Sequence, residues 1–361
     1  MKWLYAFLVV FCLAAAPAFA APVPGQILEV NGLEYPEWPV SVTPYGGTLL
    51  LSDSPETVKE DGILYQDTVS GSLRVFMYHL NGTGASKKVV VTLENPGDKP
   101  VKVLLHKKGY GGPGYNYMEV GKKAEQTYLD SKGIETITLS PKELRLLDSS
   151  LGRIVVPADT LVNGIYDFLA DGPVTVKVMS MPVDANIGKF AAKAKILPND
   201  DQRLRGTFPG KDRLIIPHRL YRGEQDGTVT IALADPNKDG YVTGIDATDG
   251  SPALNYGNYG VLYRIFLPGE SGNAAYLLNP RGGEYAGVMG IQYKHETSYT
   301  LATPGDRLFF GSTPSDSAYL GTFDASQSLW LTFSPPGASN LPVKLILRPG
   351  EVAEKDRVKN Q

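Results

Sequence analysis

The sharpest chemical pattern in the chain is a short run of oxygen-bearing residues. Asp235, Asn237, Asp239, Tyr241, Thr243 and Asp246 fall at positions one, three, five, seven, nine and twelve of one stretch, with Gly240 at position six. A hard cation such as calcium wants six or more oxygens, and a glycine at the sixth place lets such a loop turn sharply. The flanks fit less well, because 228–234 reads as a strand and 247–260 is broken by glycine and proline where a helix should begin. An Asp/Asn/Gly hairpin turn accounts for the same residues, so both readings stand. No cofactor is otherwise required; calcium is the one candidate.

Two further stretches carry contact chemistry. The run 107–117 places Tyr110, Tyr115 and Tyr117 among glycines and two lysines. It lacks the Lys-Ser/Thr ending of a phosphate loop. Tyrosine offers a flat apolar ring with a polar tip, which suits a sugar or peptide surface. The second run, 255–260, repeats Asn-Tyr-Gly and presents Tyr256 and Tyr259. Turn chemistry alone would also explain both runs.

Groups for catalysis are present but not arranged in any recognised spacing. Glu94, Asp167 and Asp171 are the carboxylates from which a glycosidase pair could be drawn, a matter of separation that sequence does not give. His79 and His106, with Met77, are the side chains that neighbouring strands could bring together around copper. His-Glu-x-x-His, Gly-x-Ser-x-Gly and Ser-x-x-Lys are all missing from the sequence.

The chain around these residues reads as an exported one. Lys2, an apolar run over 3–16 and Ala18-Phe19-Ala20 form a signal peptide, with cleavage expected before Ala21. Cys12 is the only cysteine, so the mature chain has no thiol and no disulfide, and its stability must come from buried apolar area. The formal charge is −3, and −4 once Lys2 is removed, without a basic run. That excludes an electrostatic footprint for nucleic acid. No later stretch is long and apolar enough for a transmembrane helix, and 351–361 reads as a polar tail.

With 39 glycines, 27 prolines and 20 tyrosines, long helices are interrupted and short strands with turns are favoured. Strands are expected at 48–52, 73–80, 88–93, 101–106, 135–139, 144–147 and 174–179. After a compositional break at 182–213 they resume through 343–347. Helical spacing appears at 120–129, and Ser140-Pro141-Lys142-Glu143 reads as a tight turn. The fold class is therefore all-β: two β-sandwich (Ig-like or jelly-roll-like) domains in tandem, 21–181 and 214–350, joined by a linker at 182–213, with one or two short helices. An echo of Arg74-Val75-Phe76 and Asn95-Pro96 in Arg264-Ile265-Phe266 and Asn279-Pro280 hints at a duplicated sandwich or at shared turn chemistry.

Several of these segments resemble uncharacterised secreted proteins of Firmicutes-type bacteria, some of which carry copper amine oxidase-like N-terminal (stalk) domains. The resemblance lies in 52–56, 62–65, Arg74 to His79, Gly111-Gly112-Pro113 with Tyr117, 120–122, 164–168, 204–209, 244–247 and the Asn-Tyr-Gly repeat. It implies secretion but brings no activity with it. Amine oxidase chemistry needs a cofactor tyrosine in an Asn-Tyr-Asp/Glu setting and three copper histidines, whereas Gly257 follows Asn255-Tyr256. The expectation is a secreted or cell-envelope protein, non-enzymatic, that binds cell-wall glycan or an envelope protein through its Gly/Tyr loops. The alternatives are a carbohydrate-active hydrolase with paired carboxylates and a calcium-stabilised structural envelope protein.

Overall fold

A computed structural model describes residues 21–350; the leader and the polar tail lie outside the described residues. The fold is all-β, with 22 strands in three sheets among these residues and only one helix, Tyr117–Asp130, longer than five residues. A short helix, Ile187–Ala191, lies within the compositional break and is capped by the Asn186 side chain.

Two long strands organise the first sheet. Gly62–Asn81 and Leu161–Pro182 run antiparallel along their whole length, with a register break between Ala170 and Val174 near Gly71, whose φ is +84°. Before the break Leu161–Pro182 pairs with Val101–Gly114, and after it with Lys87–Glu94. The bent pair thus feeds two layers from the same strands. Alternation sends successive side chains to opposite faces. Leu50, Val75, Met77, Tyr166 and Phe168 join one core. Leu49, Leu51, Phe76, Tyr78 and Ile165 join the other, which continues into the rest of the molecule. Burial on both faces is why runs such as Leu49-Leu50-Leu51 are unbroken by polar residues.

The remaining sheets form the second sandwich. Five strands, in the order Ile27–Glu29, Asp316–Asp324, Asn273–Asn279, Val343–Pro349 and Val229–Leu233, make one layer. Six make the other, from Tyr299–Thr303 at one edge to Asp212–Pro217 and Val40–Tyr45 at the opposite edge. Pairing therefore crosses the break at 182–213. Val40–Tyr45 and Ile27–Glu29 pair with strands of the second half, while Arg205–Pro209 lies in the first sheet against Thr48–Ser52 and carries Thr243–Asp246 beside it. The tandem layout expected from sequence is replaced by an interleaved one. Segment 182–213 holds the strand Arg205–Pro209 and the start of Asp212–Pro217 rather than a bare linker.

The recurring Asn-Pro signal has a local cause. Asn95 accepts from Gly97 N and donates to the carbonyls of Lys99, Leu139 and Ser140. Asn279 likewise accepts from Arg281 N and donates to the carbonyls of Val30, Pro314 and Asp316. Asn81 does the same job with Thr83, Ala85, Val156 and Pro157. Each closes a strand end by satisfying buried backbone groups, so one turn chemistry is used three times.

Candidate functional site

The helix Tyr117–Asp130 positions the site. Asn116 caps it by accepting from Glu119 N, and Val120, Ala124 and Tyr128 form its buried stripe, as the spacing at 120–129 anticipated. The run 107–117 is not a set of turns. Through Gly114 it is strand, and its glycines give clearance. A Cβ on Gly111 would stand 1.9 Å from the Val120 carbonyl oxygen, and one on Gly109 2.3 Å from that of Ala124. The helix therefore rests directly on the strand backbone. On its other side Gly121 meets the segment 334–341, where a Cβ would lie 2.1 Å from the Gly337 carbonyl oxygen.

Beside the helix start is an open groove of about 550 Å³. One wall is Gly112–Asn116, the floor is the helix face carrying Lys122, Lys123 and Gln126, and the far wall is Arg307 with Leu308. Tyr115 stands 75 % exposed at the rim. The Lys122 ammonium donates to the Pro304 carbonyl oxygen at 2.6 Å, and burial lowers its pKa. Among the described residues Arg307 pairs with its neighbour Asp306, at 3.3 Å. Beneath the helix, Glu125 is 1 % exposed; its Oε2 accepts from Val288 N at 2.8 Å, and Oε1 has no partner. Burial pushes its carboxyl well above the ordinary range.

The other tyrosines named from sequence have different fates. Tyr110 is turned inward toward Tyr166, its hydroxyl buried. Tyr117 is partly exposed near the helix start. Tyr259 donates to the Ser339 carbonyl oxygen at 3.1 Å and packs on Phe76. Tyr256 is exposed and meets Tyr241 edge-on at 5.9 Å. Of the five, only Tyr115 borders the groove.

The oxygen-rich run is a turn whose carboxylates are engaged internally. Asp235 pairs with Arg281 at 2.8 Å and accepts from Asn237 N. Asp239 accepts from Asp235 N and from the Tyr263 hydroxyl, and pairs with Arg213 at 3.0 Å. Asp246 lies apart in a strand, buried against Arg205 and hydrogen-bonded by Asn199 and Thr248. Thr243 is exposed on that same strand. Among the described residues no group of three or more His, Cys, Asp or Glu is placed to hold a metal ion.

The carboxylates and histidines weighed for catalysis are dispersed. Asp167 is clamped by Arg74 at 2.6 Å and Lys211 at 2.8 Å; Arg74, 2 % exposed, also reaches Asp212, the Tyr128 hydroxyl and the carbonyls of Lys211 and Gly260. Burial would raise the Asp167 carboxyl, but Arg74 and then Lys211 outweigh it and hold the pKa at about 2. Glu94 pairs with Lys177, and Asp171 accepts from Lys102 N. His79 and His106 are separated by the strand Leu161–Pro182, which pairs with the strands of both, so they do not meet. His79 is fully buried; its Nδ1 donates to the Pro55 carbonyl at 3.0 Å, which leaves Nε2 to accept from Ser52 Oγ at 2.9 Å. Burial lowers its pKa to about 4.

Sequence reasoning missed Lys122, Lys123, Gln126 and Arg307. The first three fall on the anticipated helix, and their spacing alone could have placed them on one face. Arg307 has no local signal.

No helix of the described residues is long and apolar enough to cross a membrane. No family model matches the chain, and no curated protein does. Solved structures give faint likenesses. The formate complex of Lactobacillus farciminis oxalate decarboxylase is 10 % identical, with 86 % of this chain and 88 % of that one covered at a TM-score of 0.16. Streptomyces albus HEPD with 2-hydroxyethylphosphonate and Fe(II) is 11 % identical, covering 82 % and 66 % at 0.15. The CupB6 tip adhesin of Pseudomonas aeruginosa is 9 % identical, covering 90 % and 91 % at 0.15. Scores this low carry no argument about fold or function. The class that the strands themselves define is an all-β protein of interleaved sheets with one helix seated over their junction.

Proposed function

We propose that the protein is an extracytoplasmic, non-enzymatic binding protein that holds cell-wall glycan in the groove between Gly112–Asn116 and Arg307. The single observation that carries this is Tyr115, 75 % exposed beside a concavity of about 550 Å³. An open cavity of that size falls within the range of small-ligand sites, roughly 300–1,000 Å³. A ring left in solvent at its rim is a stacking platform for the flat face of a sugar. Gln126 adds a hydrogen-bonding side chain on the floor.

The test is retention of the mature chain on purified cell-wall polysaccharide, with Tyr115→Ala beside it. Retention is expected, and the variant should bind about five- to tenfold more weakly, the loss of one aromatic contact of about 1 kcal/mol. No retention, or equal retention of the variant, overturns the reading; capture of an envelope protein through Tyr115 would replace glycan with a protein partner. The export step is tested by sequencing the N-terminus of the chain from the extracytoplasmic fraction, where Ala21 should come first.

A further inference from the structure

We infer that the ligand of this groove is polyanionic, a sugar chain bearing carboxylate or phosphate groups; the inference rests on the reading of the groove as a glycan site. Lys122 and Lys123 stand on the floor and Arg307 on the far wall, against Glu119 as the one carboxylate in the lining. The chain as a whole is slightly acidic, with a formal charge of −3, so three cations in one concavity run against its average.

What distinguishes these cations is that they lie open to the groove and are not locked in buried ion pairs. Arg74, Lys211, Arg205 and Arg213 each pair with an aspartate between 2.6 and 3.0 Å. Among the described residues Lys123 forms no ion pair, and Lys122 meets only the neutral carbonyl of Pro304. Glu125, one turn along the helix from Lys122, is buried beneath it and does not line the groove. Arg307 pairs with its neighbour Asp306 at 3.3 Å, both side chains about half exposed, so this pair is open to solvent and weak.

A neutral sugar filling the groove would strip water from these charges and return no counter-charge, a cost that weakens binding. An anionic chain supplies the missing partners. Its charged groups would alternate along Lys123 and Arg307 while Tyr115 takes a ring face, and opposite potentials would speed encounter.

The experiment titrates the mature chain with three probes by calorimetry: chitohexaose, hexagalacturonate and a glycerol phosphate hexamer. At least one anionic probe is expected to bind about tenfold or more tightly than chitohexaose, with affinity that falls as NaCl rises, since screening weakens exposed charges. The charge-reversed Lys123→Glu/Arg307→Glu double variant should lose that preference while melting like the parent. The two anionic probes separate carboxylate from phosphate as the recognised group. Tight, salt-independent binding of chitohexaose, equal to the anionic probes, would overturn the inference and leave the glycan reading standing. Binding of none of the three would remove both.

Discussion

The two ends of the helix Tyr117–Asp130 use similar residues to opposite effect. At its C-terminal end Tyr128 enters a sealed cluster in which Arg74, Lys211, Asp167 and Asp212 satisfy one another. Nearer its N-terminal end Lys122 and Lys123 line an open groove, Lys122 donating to the Pro304 carbonyl and Lys123 forming no ion pair among the described residues. The first arrangement joins the bent strand pair to the second sandwich, since Asp212 and the Gly260 carbonyl come from that side. The second leaves charge unspent. A basic side chain is locked into the structure where the fold provides its counter-ion and stays open to solvent where it does not.

Breaking the sealed end should have the largest effect. Arg74→Met leaves Asp167 and Asp212 buried without their guanidinium, and the loss should be about 3–5 kcal/mol by urea denaturation. Acid should find the buried groups in sequence. His79 is held neutral with a folded pKa of about 4, below its unfolded value, so its contribution is complete above the unfolded pKa near 6.5 and is lost as pH falls through 4. That is roughly 3 kcal/mol, and His79→Gln should flatten this limb of the stability curve. Asp167, depressed to about 2, keeps its contribution above its unfolded pKa and gives it up only at still lower pH.

The seat of the helix comes next. Gly111→Ala must displace the helix from the Val120 carbonyl, costing about 1–3 kcal/mol, and it should weaken groove binding by more than its effect on melting suggests. Glu125→Gln sharpens the comparison from beneath. Because the Glu125 pKa is raised in the folded state, the native carboxyl loses stability as pH rises above its unfolded value. The amide variant should melt higher than the parent at pH 8, with the gap closing at pH 4. At the open end, Lys123→Glu should change stability by no more than about 0.5 kcal/mol, and its effect should appear in ligand affinity instead. A destabilisation as large as that of Arg74→Met would erase the distinction between the two ends.

Local pattern made much of this readable. Thr48–Ser52 and Glu135–Leu139 match the anticipated strands residue for residue, and the turn at Ser140 forms, with Glu143 accepting from Ser140 N. The first half of Leu161–Pro182 and the stretch through Gly114 were less legible. Glycine ordinarily punctuates loops, and nothing local says that Gly109 and Gly111 are clearance for a helix that comes later in the chain. Tyr115 could be named, but its difference from Tyr110 could not, because both sit in the same composition and only pleat and packing turn one inward. The groove also needs Arg307, and the sealed cluster needs Lys211 and Asp212, contacts that depend on long-range pairing rather than on neighbours.

Ile27–Glu29 pairs with residues made roughly 290 positions later, at the far end of the same polypeptide. A ribosome therefore releases this first strand long before its neighbour exists, and the second sandwich can zip shut only after translation has nearly finished. Until then its apolar edges need shelter from one another. Cutting the gene in two at 182–213 should consequently yield a pair of insoluble fragments, whereas nicking the finished protein in that segment should leave the pieces clasped together.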